Sequence, residues 1–269
     1  MVRMRKYLIG VLAGGLLGAV ALSGISSADV TTLTSTGKVT PSKQDKKKRG
    51  GATVFFQNVD THDGVTVPPG GPGCAPPAAV TTACKYFPPS TQTVIQFPRD
   101  YKFTPGTIPD CNLSSLAGKD AAGARAACPG SVVGQGSSVV HTLTEAGTPP
   151  GNPGVLNGTV TAFNGAPSGG NPTLYVHIDI AGVATKPILT GTFTGPRLTV
   201  AVPPVTGTVI ESFNTTIGKR VSLRNKKTGK KTFYFSARCS KKKWTTTVTN
   251  TYQGGKTLSS TFSQKCKQR

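Results

Sequence analysis

Glycine and proline punctuate this chain so densely that few stretches are left in which a helix could grow. The 269 residues include 33 Gly and 21 Pro. Both weaken helix interiors, Gly through backbone entropy and Pro through its missing N–H. Threonine is frequent, and its β-branched side chain suits a pleated strand better than a helix. Between the breakers lie short alternating segments at 52–58, 91–97, 131–144, 155–163, 173–180, 187–193, 197–202 and 208–217. Short strands separated by Gly/Pro turns predict an all-β protein, an immunoglobulin-like or jelly-roll-type β-sandwich. One short helical insertion is expected at 112–128, where Asn112, Ser114 or Ser115 could cap an Ala-rich run that Pro129 and Gly130 stop. No polar linker divides residues 51–269, so they are expected to form a single domain, long enough to bury a core.

The first 28 residues have the form of a secretory signal peptide. Arg3, Arg5 and Lys6 precede an apolar run at 8–22, and Ser26 and Ala28 are small residues at the −3 and −1 positions of a cleavage site. About 15 apolar residues fall short of the roughly 20 that a spanning helix needs. The mature protein is therefore expected to be secreted or extracytoplasmic after cleavage near Ala28. Export makes the six cysteines, Cys74, Cys84, Cys111, Cys128, Cys239 and Cys266, a disulfide framework. Six cysteines allow 15 pairings; local proximity suggests Cys74–Cys84, Cys111–Cys128 and Cys239–Cys266. No close Cys or His pair announces zinc.

Charge is concentrated in two places. From 51 to 218 there are 7 basic and 8 acidic residues, whereas 219–269 holds 15 basic residues and no acid. The remaining excess sits at Lys38, Lys43, Lys46, Lys47, Lys48 and Arg49, within a segment (29–50) that reads as a basic flexible lead-in. Such clustering points to an anionic partner. For an exported chain this is a cell-wall polymer or a membrane surface, and nucleic acid is not expected. The candidate binding residues are Lys226, Lys227, Lys230 and Lys231 around Thr228-Gly229, and Lys241, Lys242 and Lys243 before the next strand.

The C-terminal hairpin permits a register argument. Trp244, Thr246, Val248, Asn250 and Tyr252 alternate with threonines, and Leu258, Ser260 and Phe262 alternate with Thr and Ser. A two-residue Gly-Gly turn would mix the two faces. A three-residue loop keeps one apolar face, and is expected to set Tyr252 opposite Leu258, Val248 opposite Phe262 and Trp244 opposite Cys266. The other face becomes a Thr/Ser array. Cys239 and Cys266 cannot lie two strands apart in one sheet, because roughly 9–10 Å exceeds the reach of a disulfide. Their strands are either direct neighbours or on facing sheets.

Several short motifs carry a resemblance. Pro109-Asp110-Cys111, Ala124-Arg125-Ala126-Ala127-Cys128-Pro129, Val133-Gly134-Gln135-Gly136, Phe163-Asn164-Gly165, Ala237-Arg238-Cys239 with Trp244, Tyr252, Gly254 and Cys266, and the basic lead-in from Pro41 to Lys48 resemble a pattern in exported, Cys-rich actinobacterial β-sandwich proteins of uncharacterised activity. The resemblance implies export and β structure and assigns no catalytic residue.

Chemistry-bearing motifs are scarce. His62-Asp63 and His177 with Asp179 are pairs without a third ligand, so no metal is expected. There is no nucleophile elbow, phosphate-binding loop or dinucleotide fingerprint, and no cofactor is expected. Asp100, Asp110, Glu145 and Glu211 are carboxylates available for glycoside chemistry, with no spacing that pairs them. The chain thus reads as a non-enzymatic exported or envelope-associated protein with basic patches. The alternative is an extracellular carbohydrate-binding module or hydrolase. All six cysteines are expected to be oxidised: thiol titration of unreduced, denatured protein should find fewer than two free thiols per chain, and two or more would refute the framework.

Overall fold

The computed structural model describes residues 30–62, 65–67, 84–86, 88–142, 155–203, 208–218, 220–224 and 226–269. The expected signal peptide, Cys74 and Glu145 lie outside these residues. In chain order the first strands are β1 (Val30–Thr40), β2 (Lys43–Gln44), β3 (Gly50–Gly51), β4 (Thr53–His62), β5 (Val65–Val67), β6 (Cys84–Tyr86), β7 (Ser90–Gln96) and β8 (Tyr101–Phe103). Two 3-10 turns, Pro105–Thr107 and Leu113–Ser115, and helix α1 (Ala121–Ala127) follow. Then come β9 (Val132–Thr142), β10 (Val155–Ser168), β11 (Asn171–Ile180), β12 (Ile188–Thr194), β13 (Arg197–Ala201) and β14 (Thr208–Ile217). The chain closes with β15 (Val221–Arg224), β16 (Lys231–Phe233), β17 (Phe235–Ala237), β18 (Lys243–Tyr252), β19 (Thr257–Lys265) and β20 (Lys267–Gln268).

The protein is all-β with one short helix. Eleven strands form one antiparallel sheet in the order β1-β4-β14-β9-β10-β11-β12-β13-β7-β18-β19. The sheet curls until its two edges meet, so opposite walls of one sheet supply the layers expected of a sandwich. With eleven strands and only antiparallel pairings, the two edge strands run parallel to each other. Side chains stitch this seam. The Gln264 amide accepts from the Val39 N–H (2.6 Å) and donates to the Val39 carbonyl (3.0 Å). The Ser35 N–H donates to Ser260 Oγ (3.0 Å). Between them the Phe262 ring lies over Gly37, where a Cβ would come within 2.5 Å of the ring. Below, β2 and β20 continue the seam as a parallel backbone pair, Lys43 with Lys267 and Gln44 with Gln268.

The segment 29–50, expected as a flexible lead-in, is therefore part of the fold. Its inward positions Leu33, Ser35, Gly37 and Val39 are mostly small or weakly apolar, which hides the strand pattern among threonines. The hairpin β18–β19 has the expected three-residue loop, with Gly254 and Gly255 at positive φ and the Tyr252 N–H donating to Lys256 O. Its register is two residues from the expected one. Trp244 faces Gln264, Val248 faces Ser260 and Asn250 faces Leu258. The faces are unchanged, because a two-residue slip preserves which side chains point inward.

Inside the barrel, Val54, Ile95, Val160, Ala162, Val176, Ile178, Leu198 and Val248 form the main core. A small sheet in the order β3-β17-β8 closes the lower end. There Phe235 and Tyr101 pack edge-on, and Tyr101 meets Trp244 at 5.5 Å. The Trp244 indole N–H donates to Arg238 O (2.7 Å). Cys239 follows β17 and bonds to Cys266 at the end of β19, with Cα atoms 5.9 Å apart. The bond joins two sheets, the second of the alternatives above.

The insertion lies on the outer face of β10 and β11. The expected helix over 112–128 is split: Gly118 takes a positive φ, and only 121–127 is α-helical, capped by Asp120 Oδ1 accepting from the Gly123 N–H. Cys111–Cys128 clips its ends, with Cα atoms 5.6 Å apart, over a separate cluster of Leu116, Ala124, Phe163 and Tyr175. Two such bonds point to an oxidising, extracytoplasmic setting. Among the described residues no helix is long and apolar enough to cross a membrane.

The seam can be tested directly. Gln264→Ala would leave the N–H and C=O of buried Val39 without their partners, at a cost of about 1–3 kcal/mol. Urea unfolding should show the loss, and the Val39 amide should exchange faster; an unchanged unfolding midpoint would remove Gln264 from the closure.

Candidate functional site

Two regions carry polar chemistry. The first lies inside the barrel. The upper halves of β4 and β18 face each other across the seam, and place Asp60 against Asn250 and Tyr252. Asp60 is only 4% exposed. Its Oδ1 accepts from the Tyr252 hydroxyl (2.7 Å), and the Asn250 amide donates to both carboxylate oxygens (3.2 and 3.3 Å). Thr93 Oγ1 in turn donates to Asn250 Oδ1 (2.8 Å). No cation pairs with Asp60 among the described residues. Burial pushes its carboxyl up to about 6, against the opposing pull of the Tyr252 and Asn250 hydrogen bonds. Burial likewise raises Tyr252, as does the Asp60 charge beside it.

This cluster borders a cavity of about 90 Å³. Asp60, Asn250, Thr93 and Ser90 line its upper part, while Val176, Leu198, Val200 and Ile217 make much of the rest apolar. A smaller void of about 20 Å³ continues it upward between Pro89, Pro187 and Pro203. Nothing in the local sequence marks Asp60, because its partners lie 190 and 192 positions away.

The second region is the lower end of the barrel, where the two basic segments meet. The pairing of β2 with β20 sets Lys43 beside Lys267. Lys243 faces Lys265 across β18–β19, and the Cys266 N–H donates to Lys242 O. Lys46, Lys47 and Lys48 lie in the exposed turn after β2. The backbone ties this turn to the C-terminal segment through the Cys239 N–H, which donates to Asp45 O (2.9 Å). Arg49 reaches Arg99 O (2.8 Å). The candidates Lys241, Lys242 and Lys243 are exposed here. Lys226, Lys227, Lys230 and Lys231 are exposed on the β15–β16 hairpin.

Asp45 and Asp100, at this end, are spent locally. The N–H groups of Lys48 and Lys47 hold Asp45 below the usual carboxylate range. Burial would raise Asp100, but the N–H and hydroxyl of Ser240 and the guanidinium of Arg238 outweigh it, so its pKa is lowered.

The other sequence candidates are engaged in structure. His177 is fully buried, its Nε2 bonds Lys119 O (2.8 Å), and burial lowers its pKa. Asp179 accepts from the Ala121 N–H (2.8 Å) and pairs with Lys186 (2.7 Å), which hold its carboxyl low. Asp110 accepts from the Asn164 amide (2.6 Å), and Glu211 pairs with His141. The carboxylates are therefore not gathered into one acid–base pair. Among the described residues no group of three His, Cys, Asp or Glu could hold a metal. The outward hydroxyl array is present, and its members bond one another: Thr245 with Ser263, Thr247 with Thr261, Thr249 with Ser259. Comparison with family models, curated proteins and solved structures finds no match.

The Asp60 shift has a pH signature. A carboxyl raised from 3.8 to about 6 destabilises the fold when ionised, by up to about 3 kcal/mol above pH 6. The penalty shrinks as pH falls through 6 and is gone below 3.8, where both states are protonated. Asp60→Asn should therefore be the more stable protein at pH 8, with the difference fading by pH 4 in urea titrations. A pH-independent difference would contradict the assignment.

Proposed function

We propose that this protein is a non-enzymatic, exported β-barrel that attaches through its basic lower end to a polyanion of the cell envelope. One observation carries the reading. Folding brings two basic segments, far apart in sequence, to one end of the barrel, where Asp45 and Asp100 are engaged in local hydrogen bonds. Such an end attracts phosphate- or carboxylate-bearing polymers over a distance set by ionic strength, about 8 Å under physiological salt. Flexible exposed lysines act as point charges rather than a shaped pocket, so the binding is broad in specificity. An anionic wall polymer and an anionic lipid surface share this chemistry.

Retention of the mature chain on purified wall material and on anionic phospholipid vesicles, each across a salt gradient, tests the proposal. Changing Lys226, Lys227, Lys230, Lys231, Lys241, Lys242 and Lys243 to Gln should shift release to clearly lower salt on whichever material is the partner. Adding Gln at Lys46, Lys47 and Lys48 should shift it further. Equal retention of wild type and variants on both materials would overturn the reading.

A further inference from the structure

The cavity inside the barrel is built for a ligand of a different kind from the polyanion outside. Its walls are aliphatic and aromatic side chains contributed by β4, β7, β11, β12, β13 and β14. Inward side chains such as Ile210 and Phe213 remain partly accessible. Polar groups gather on one side of its upper part, where Asp60 receives neutral donors only, a phenol and an amide. A carboxylate withdrawn from water is expected to have a charged partner, and the described residues supply none. A second carboxylate in the lining, Glu211, pairs with His141, which leaves Asp60 as the lining carboxylate without a cationic partner among the described residues. An aliphatic wall with such an anion at its upper end is complementary to a small amine with an apolar tail and a cationic head.

We propose that the barrel interior binds a slender alkylamine-type molecule, its ammonium seated at Asp60 among Asn250 and Thr93 and its tail lying along Val176, Leu198 and Val200. The ammonium replaces the missing counter-charge. The carboxylate already accepts from Tyr252 and Asn250, and its two oxygens retain capacity for a further donor. The volume bounds the ligand. A cavity of about 90 Å³ is smaller than the ~150 Å³ void that accommodates the six carbons of benzene, so it takes about three carbons and the nitrogen. A proline-lined void adjoins the cavity above.

The charge of the protein makes the test discriminating. The chain carries a formal net charge of +21, so its surface repels ammonium ions. A preference for an amine over a neutral alcohol of equal length must then come from a local anion. The experiment is calorimetric titration of the mature protein at pH 8 with 1-propylamine, 1-propanol and propanoate, repeated at high salt to remove surface attraction of the carboxylate. The amine should bind one per chain, at least tenfold tighter than the alcohol, with propanoate weakest. Asp60→Asn should bring the amine to the level of the alcohol and leave the alcohol unchanged. Leu198→Phe, filling the lower cavity, should weaken amine and alcohol alike. If the amine does not saturate, or the alcohol or propanoate matches it in wild type, the proposal is wrong; the wild-type comparison holds even if a variant fails to fold. Retention of the amine preference by Asp60→Asn would overturn the role of Asp60.

Discussion

The structure depends on closing an eleven-stranded antiparallel sheet. An odd number of strands makes the two edges parallel. Here β1 and β19 form no backbone ladder, and side chains do its work. The Gln264 amide presents a donor and an acceptor in the geometry of a peptide group, and so satisfies both polar groups of Val39. Gly37 leaves the space into which Phe262 turns, and that ring reaches Phe56 on the next strand inside the barrel. An unpaired edge would be open to pairing with other chains. The seam removes that edge, and β2 with β20 secures its lower end by backbone bonds.

Both polar regions of the molecule follow from that seam. Without it the lead-in lysines would not lie beside the C-terminal ones, and Asp60 would not reach Asn250 and Tyr252. Both juxtapositions join residues from opposite ends of the chain, about 190 or more positions apart. This is why they were not legible in the sequence. The charge runs showed where the positive residues are, but not that folding would place them together. Asp60 sits in a strand of ordinary appearance, and only its distant partners distinguish it.

What was legible was local. Alternation in 244–252 and 257–265 showed which side chains point inward, and disulfide reach excluded Cys239 and Cys266 from strands two apart in one sheet. Alternation has a period of two, so it sets parity and leaves the offset free; the register accordingly differs by two residues. The lead-in was misread because Ser35 and Gly37 occupy positions where an apolar residue would have revealed β1. Gly37 is there to admit Phe262, and that reason is visible only after folding.

The short motifs that stand out in the sequence turn out to hold the fold together. Asn164 bonds Asp110 through its side chain and accepts from the Cys111 N–H through its carbonyl, so Phe163-Asn164-Gly165 fastens Pro109-Asp110-Cys111 to the barrel wall. Gly136 could not carry a side chain, since a Cβ would lie 2.0 Å from Asn214 O on the neighbouring strand. Arg238 bonds Asp100 and its carbonyl receives the Trp244 indole. Motifs that serve packing leave the chemistry to residues with no motif at all. The same strand, β1, runs from the wall beside the Asp60 cluster down to the basic turn after β2. The seam thus has a backbone pair at its lower end and the Asp60–Tyr252 contact across its upper end, and β1 joins the two as parts of one closure.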